Sequence, residues 1–399
     1  MKTIRLLLSI ALLAVCQSGQ AANSRTLWEI GRPDNDTAEF ALARTNYLEF
    51  PGLHGSPDDL YFIGHSNPRE HWPYVLPGNV DEWAGSTPWG GDRMWMLPIG
   101  FELETKPDAA CRLLVDFADT SSNRPPVLRV WVNETPHDFQ LPKGGGDRSI
   151  KGEPSAGKEH ILAVEIPPAE LRAGFNRIAL TIKQGSWVLF DALSFEAPIA
   201  LKLAPKRNTV VRSVQAAANG VARESTVDQI LLVDVQQFGL PGEVTIEAEG
   251  CPAVTRSVEP GRTIIEVPLP AVAKPTPARV VVKSGQENLF SSSVTRSPVR
   301  AVTPADYVDV FMGTAHSRWM IAPGPWMPFG MVKLSPENQD QRWIAGYDYP
   351  LEHINGFSHI HEWTMAGLLM MPTVGPLKTR PGTEQNPTGG YSSRFDKSS

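Results

Sequence analysis

The chain has 399 residues, which is too long for one ordinary hydrophobic core and predicts two or three domains. Charged residues make up 20 % and hydrophobic residues 41 %, and 37 basic against 43 acidic groups give a formal net charge of −6, a composition typical of globular proteins. Because the balance is only mildly acidic and no block of like charges occurs, the sequence carries no electrostatic signature of nucleic-acid or anionic-membrane binding, and we exclude both kinds of partner.

The N-terminus is typical of an export signal. Two basic residues precede an apolar run at 6–15, and a Gly-Gln-Ala stretch ends at residue 21, so residues 1–21 are predicted to be a signal peptide and the protein to be secreted or periplasmic. The run is too short to span a bilayer, and no later stretch approaches the ~20 apolar residues of a membrane-spanning helix. Cys16 loosely resembles a lipoprotein processing site, although Val15 stands where a small residue is expected, so lipid anchoring at the cell surface stays open.

Residues 22–197 are predicted to form a first domain built from β-strands. Short runs of alternating or β-branched residues recur, each bounded by Gly, Pro, Asn or Asp, which is typical of strands separated by turns. With 33 Gly and 36 Pro and hardly any stretch that keeps a 3.6-residue apolar period, long helices have little room. The fold class is therefore predicted as all-β. The runs lie at 113–117, 127–132, 161–166, 176–182 and 187–195.

A second strand series follows at 198–300, and its spacing suits a small immunoglobulin-like sandwich. Its runs lie at 230–235, 244–249, 264–267 and 280–282. Once the leader is removed, Cys111 and Cys251 are the remaining cysteines, an even number that permits one disulfide in an oxidising compartment. Since they fall in different predicted domains, we favour two buried free thiols and leave their pairing open.

The last segment, 301–399, differs in composition from the rest. From Thr303 onward it holds four of the eleven Trp, seven of the ten Met and four of the nine His residues, so we expect functional chemistry here. Its motifs lie at 307–314, 328–336, 345–349, 354–361, 369–372 and 391–395. In order and spacing they resemble the N-terminal domain of the family 92 glycoside hydrolases, which are secreted exo-acting α-mannosidases.

This resemblance implies a β-sandwich packed on a helical (α/α)6 barrel, with the active site between them and a calcium ion that helps to distort the terminal mannose. In that family the general acid, the general base and the calcium ligands belong mainly to the helical domain, which we expect to be missing from this sequence. Inversion needs two carboxylates roughly 6.5 to 9.5 Å apart, and a sandwich that forms one wall of the site cannot supply both. We therefore assign no catalytic residue and no metal ligand within this chain, and expect an incomplete family 92 sandwich.

Substrate contacts are still expected from this wall. On an extended backbone His359 and His361 point the same way, and Glu362 and Trp363 follow; an imidazole and a carboxylate can hydrogen-bond sugar hydroxyls, and an indole can stack on a pyranose. The alternatives are that His359 and Trp363 are interior groups, or that the two histidines bind a metal. The predicted substrate-binding residues are His359, His361, Glu362, Trp363, His316 and Trp319.

The first domain has a resemblance of its own. The stretches at 28–34, 174–182 and 186–193 resemble the C-terminal jelly-roll domain of the rhamnogalacturonan lyases of polysaccharide lyase family 4. In those lyases the module is similar to a carbohydrate-binding module and carries no lyase chemistry. The resemblance therefore implies a jelly-roll fold and a sugar-binding role only.

Several tryptophans between residues 61 and 95 alternate with Pro and Gly, as in a rigid aromatic loop surface. Trp72, Trp83 and Trp89 are predicted to stack on a polysaccharide, or alternatively to fill the edge of the sandwich. The acid pairs 58–59 and 81–82 have the hard oxygens of a structural calcium site, although such pairs are usually solvated.

Two functions are consistent with these patterns. The first is the carbohydrate-binding N-terminal portion of a secreted, calcium-dependent exo-α-mannosidase-type glycoside hydrolase, catalytically incomplete on its own. Its partners would be a glycan or polysaccharide and the missing C-terminal helical catalytic domain. The alternative is a stand-alone secreted carbohydrate-binding protein without enzymatic activity.

Overall fold

A computed structural model shows a succession of β-sheets with very little helix, which confirms the predicted all-β class. No helix within the described part of the chain is long and apolar enough to cross a membrane. The structure describes residues 24–56, 59–86, 93–223, 226–314, 323, 334–338, 347–349, 351–359, 368–379, 390–391 and 393–394.

The first domain is a sandwich of two sheets. One sheet has the order β1-β10-β5-β8, with β3 also paired to β10, and the other has the order β2-β4-β9-β6-β7. All these pairs are antiparallel except β2-β4. The strands are β1 (Ser24–Gly31), β2 (Tyr61–Phe62), β3 (Val75–Leu76), β4 (Met96–Leu103), β5 (Cys111–Thr120), β6 (Val127–Val132), β7 (Thr135–Gln140), β8 (His160–Ile166), β9 (Gly174–Gln184) and β10 (Val188–Pro198).

Short helical turns lie in the connections of this sandwich. They are α1 (Phe50–Leu53) and α2 (Pro68–His71), together with single 3₁₀ turns at Tyr47–Glu49, Glu82–Ala84, Pro154–Ala156 and Pro168–Glu170. None is longer than four residues, which agrees with the absence of a sustained 3.6-residue apolar period in the sequence.

Aromatic side chains from both sheets form the centre of the first core. Trp28 of β1 stacks on Phe195 of β10 with 5.3 Å between ring centroids, and Phe101 of β4 lies 5.2 Å from the same ring. All three are 5 % exposed or less, and burying a phenylalanine contributes roughly 1.5–3 kcal/mol. The core continues to the buried Leu201, beyond the predicted domain border at residue 197.

A smaller pair of sheets follows. β11-β12-β15 faces β14-β13-β16-β17, and one hydrophobic core lies between them. Along β15 the buried Ile265, Val267 and Leu269 alternate with exposed residues, the two-residue period of a strand with one face on a core. The strands are β11 (Thr209–Arg223), β12 (Thr226–Gln237), β13 (Gly242–Ala248), β14 (Val254–Val258), β15 (Gly261–Pro270), β16 (Thr276–Ser284) and β17 (Glu287–Arg296).

The two cysteines are free thiols in the structure. Cys111 is buried in β5, where burial raises the pKa of its thiol to about 11, and Cys251 is half-buried in the second pair of sheets. Their separate positions, one in each core region, agree with the favoured interpretation of two free thiols, but Cys251 is half-buried where a buried thiol was predicted.

The described residues of 301–399 contain a 3₁₀ turn at Pro304–Tyr307 and two short antiparallel pairs, β18-β20 and β19-β21. The strands are β18 (Ser335–Glu337), β19 (His353–Ile354), β20 (Gly356–Ser358) and β21 (Ser393–Arg394). These pairs are consistent with β structure, and the incomplete sandwich expected in this segment stays a prediction.

A cluster of four charges joins the last segment to the first domain. Arg129 of β6 donates to Asp138 of β7, with 2.6 Å between Nε and Oδ1, and also to Glu352. Lys183 of β9 lies 3.3 Å from both carboxylates. Burial acts to raise the pKa values of Asp138 and Glu352, but the hydrogen bonds and charges of the two cations outweigh it and lower both. We call these four residues the interdomain charge cluster.

Candidate functional site

Loops from separate parts of the first domain meet at one end of its sandwich and form an open pocket of about 360 Å³. Ligand pockets commonly measure ~300–1,000 Å³, so this one suits a small ligand. We call it the end pocket. Its lining comes from the 3₁₀ turn at Tyr47–Glu49, residues 80–83, the β5-β6 connection, the β7-β8 connection and the β9-β10 turn.

Hydrogen bonds fix the floor of the end pocket. The carboxylate of Asp81 accepts from the backbone amide of Gly78 at 2.6 Å and from the hydroxyl of Ser186. The amide of Ser186 in turn donates to the carbonyl of Arg124 at 3.0 Å, and the Ser121 amide donates to the carbonyl of Trp187 at 3.0 Å. Three loops that are distant in sequence are thereby joined at the pocket.

Two glycines allow these loops to approach so closely. A Cβ atom on Gly78 would lie 2.2 Å from the carbonyl oxygen of Gly185 and 2.4 Å from the Cα of Ser186. Gly185 has a φ of +92°, and a Cβ there would lie 2.7 Å from the carbonyl oxygen of Pro125. Because these neighbours are backbone atoms, which cannot move cheaply, both positions require glycine.

An aromatic pair forms one side of the end pocket. The rings of Trp83 and Tyr47 meet edge to face, with 4.9 Å between centroids and 89° between planes, and both side chains are half-buried. The 3₁₀ turn that carries Trp83 is held by a hydrogen bond, which the indole N–H of Trp95 donates to the carbonyl of Ala84 at 3.0 Å. Trp83 is thus an amphipathic ring held at a pocket on a fixed support.

The remaining side is polar and carries both signs of charge. Glu82, Asn123, Arg124, Asp147 and Lys151 all line it, and all five residues are exposed. Such groups can donate to and accept from sugar hydroxyls.

The carboxyl group beneath them has an unusual pKa. Burial raises the pKa of Asp81 to about 6, although the hydrogen bonds from Ser186 and Gly78 and the charge of Arg124 act in the opposite direction. Asp81 therefore changes charge near neutrality while it holds the pocket floor.

The tryptophans that were predicted to share one surface lie in different environments in the structure. Trp83 lines the end pocket. Trp72 is 1 % exposed and packs between Tyr61 and Phe190, at centroid distances of 5.8 and 5.3 Å. Of the two interpretations given for these residues, packing inside the sandwich describes Trp72, which has no ring face available to a surface glycan. Trp89 lies outside the described residues.

The predicted contacts of the last segment are only partly visible. His359 directly follows β20 and is half-buried. The other five predicted substrate-binding residues lie outside the described residues, so their grouping around His359 stays a prediction. They are His316, Trp319, His361, Glu362 and Trp363.

Most of the end pocket escaped the sequence analysis. Asn123, Arg124, Asp147, Lys151 and Ser186 lie on three different connections, and no local pattern links them. The acid pair at 81–82 was noticed only as a possible calcium site, yet Asp81 accepts hydrogen bonds from Gly78 and Ser186 instead. Within the described residues no group of three or more His, Cys, Asp or Glu side chains could hold a metal ion.

Two stretches of the chain match known protein families. Residues 26–195, which contain the end pocket, match the carbohydrate-binding-module-like domain III of polysaccharide lyase family 4. Residues 307–399 match the glycosyl hydrolase family 92 N-terminal domain. Both matches confirm the resemblances stated from the sequence.

Similarity to solved structures is remote. A GH2 β-galacturonidase from Eisenbergiella tayi is 9 % identical with a TM-score of 0.20, a β-D-mannosidase from Dictyoglomus thermophilum 8 % with 0.22, and an exo-chitosanase from Amycolatopsis orientalis 15 % with 0.21. Each match covers 51 % of this chain and 35 %, 29 % and 25 % of the respective structure, so the chain spans about a third of their length or less. At these TM-scores the similarity carries no argument. No curated protein matches the sequence.

Proposed function

We propose that this chain is the carbohydrate-binding N-terminal portion of a secreted, calcium-dependent exo-α-mannosidase-type glycoside hydrolase. The observation that carries the proposal is the presence, in one chain, of a family 92 N-terminal domain match and a carbohydrate-module match whose loops form an aromatic-sided pocket. In this proposal the general acid, the general base and the calcium ligands are supplied by a helical catalytic domain.

Exposed apolar side chains at the start of the family 92 stretch support such a partner. Tyr307 is 78 % exposed, Val310 60 % and Met312 77 %. These residues form an apolar row within six positions of the sequence, and clustered exposed apolar residues mark an interaction site more often than isolated ones do. We propose that the helical domain covers this row.

A second candidate is a stand-alone secreted carbohydrate-binding protein. The lining of the end pocket comes entirely from residues 47–187, and these residues belong to the first domain. Glycan binding at this pocket would therefore need neither the family 92 stretch nor a catalytic partner.

Binding and turnover measured on the full chain test the proposal. We expect the chain to be retarded by at least one polysaccharide in affinity gel electrophoresis and to release no mannose from α-mannosides, with or without calcium, because inversion needs an acid and a base on opposite sides of the bond. Retardation by no polysaccharide would remove the carbohydrate-binding function. Mannose release that disappears in Glu362→Gln would show that catalysis resides in this chain.

A further inference from the structure

We propose that the end pocket binds the terminal one or two rings of an uncharged glycan, with the indole of Trp83 as the stacking surface. This inference rests on the proposed carbohydrate-binding function and assigns its location and ligand class. It is carried by the size of the pocket, its aromatic side and its charge.

The size of the pocket and its aromatic side favour a glycan end over an extended chain. A ligand that lies along a surface needs a row of exposed rings, but the described indoles of this region are mostly buried: Trp187 is 4 % exposed and Trp95 is 7 % exposed. Among the described residues that line the pocket, Trp83 and Tyr47 are the half-buried aromatic side chains. Because they meet edge to face, they offer one sugar-sized platform and not a continuous strip.

The charges favour a neutral sugar over a uronic acid. The lining holds two cations, Arg124 and Lys151, against three acidic residues, the exposed Glu82 and Asp147 and the buried Asp81. An anionic ligand is usually held by unopposed cations, often a bidentate arginine. A lining in which carboxylates oppose the cations instead suits hydroxyls, which both donate and accept hydrogen bonds.

The fixed floor favours binding without rearrangement. The Asp81–Ser186 and Ser186–Arg124 hydrogen bonds and the contact between Gly78 and Gly185 hold three loops together. A pocket that is already ordered loses little conformational entropy when a ligand enters. The loop backbone that carries the pocket-lining side chains is therefore in place before the sugar arrives.

The experiment uses the full chain and a matched pair of variants. Trp83→Ala removes the proposed platform, and Trp131→Ala removes another half-buried indole of the same domain that does not line the pocket. The probes are neutral mannan and galactan oligosaccharides and polygalacturonate oligomers of equal length, titrated by calorimetry. Thermal unfolding checks that each variant folds.

We expect a neutral oligosaccharide to bind the natural chain with little dependence on salt. Trp83→Ala should bind at least about tenfold more weakly, a loss of ~1.4 kcal/mol, and Trp131→Ala should bind like the natural chain. If Trp83→Ala does not fold, Asn123→Ala, which removes an exposed amide, should weaken binding several-fold.

Each other result overturns a defined part of the inference. Unchanged affinity in the folded Trp83→Ala and Asn123→Ala variants would remove the location while leaving carbohydrate binding intact. Tighter binding of polygalacturonate, weakened by salt, would remove the ligand class. Binding of no glycan at all by the natural chain would instead remove the proposed function on which the inference rests.

Discussion

Asp191 is a buried carboxyl group that makes the stability of the fold depend on pH. It is fully buried in β10, and burial raises its pKa to about 7, with the neighbouring Asp116 acting in the same direction and the backbone amides of Asn35 and Asp34 opposing. Asp116 itself has a pKa raised by burial to about 6. Folded molecules therefore hold protons that unfolded chains have already released.

The sign of the resulting pH dependence follows from this difference. Between about pH 4 and pH 7 the folded state binds more protons than the unfolded state, so the free energy of unfolding should fall as the pH rises through this window. In Asp191→Asn the free energy of unfolding should decrease across this window by on the order of 2–4 kcal/mol less than in the natural chain, since each unit of pKa difference corresponds to about 1.4 kcal/mol. Chemical denaturation at a series of pH values measures this dependence of the free energy of unfolding on pH.

The exposed Asp108 provides the control for this prediction. Asp108→Asn removes a carboxyl group from the same domain without removing a buried one, and should leave the slope unchanged. A slope in Asp191→Asn that equals that of the natural chain would contradict the assignment to Asp191.

At the residue scale, the sequence could identify the kinds of side chain in the site but not their burial. Trp72 and Trp83 occur in the same Pro- and Gly-rich stretch, and both suit either a ligand surface or a core. Their difference arises from contacts with residues far along the chain, since Trp72 packs on Phe190 whereas Trp83 meets Tyr47 at the pocket. No local pattern contains that information.

At the scale of elements, the strands were the most predictable part of the molecule. The runs predicted at 127–132 and 161–166 correspond to β6 (Val127–Val132) and β8 (His160–Ile166), because alternation and bounding turn residues are local signals. The pairing of β1 with β10 joins residues 24–31 to residues 192–198. Such a long-range partner choice depends on the whole sheet and was not predictable from periodicity.

The loops between these strands give the next prediction. Gly78→Ala places a Cβ atom against backbone atoms of Gly185 and Ser186, so the loops must separate. We expect a loss of stability of about 1–3 kcal/mol, as for an overpacked site, and loss of glycan binding with it. Thermal unfolding and the calorimetric titration measure the two effects.

Gly52→Ala is the matched control for this substitution. Gly52 lies in α1 (Phe50–Leu53), where an added Cβ meets nothing within 4 Å, and alanine is the better helix former. Its stability should be unchanged or slightly higher. A Gly78→Ala variant as stable as Gly52→Ala would contradict the close contact at the pocket floor.

At the scale of the whole molecule, the interdomain charge cluster determines how the last segment meets the first domain. Arg129→Gln would leave Asp138 and Glu352 with Lys183 as the one cation of the cluster. Removing one partner of a buried charged group is strongly destabilising, and after allowing for the partial exposure of Glu352 we expect a local cost of about 2 kcal/mol. Hydrogen exchange of residues 351–359 should therefore become faster.

An exposed ion pair of the first domain serves as the comparison. Arg148 and Glu153 form a salt bridge in which both side chains are largely exposed, and exposed pairs contribute little. Arg148→Gln should leave exchange at 351–359 unchanged. Equal protection of this stretch in both variants would contradict a role for Arg129 in holding it.

Both family matches could be predicted from the sequence, because the order and spacing of the motifs are visible along the chain. The end pocket was not readable in the same way. Its polar groups, such as Asp81 and Lys151, become neighbours only when the loops at one end of the sandwich are brought together.

The position of Glu352 bears on how this protein should be dissected. It lies directly before β19 (His353–Ile354), on the short stretch that ends at His359, and both of its cations, Arg129 and Lys183, lie on strands of the first domain. A shortened protein without that domain would lose these counter-charges as well as the pocket. Lost glycan binding in such a deletion would therefore not distinguish the missing pocket from a displaced family 92 stretch, and point substitutions are the sounder tool.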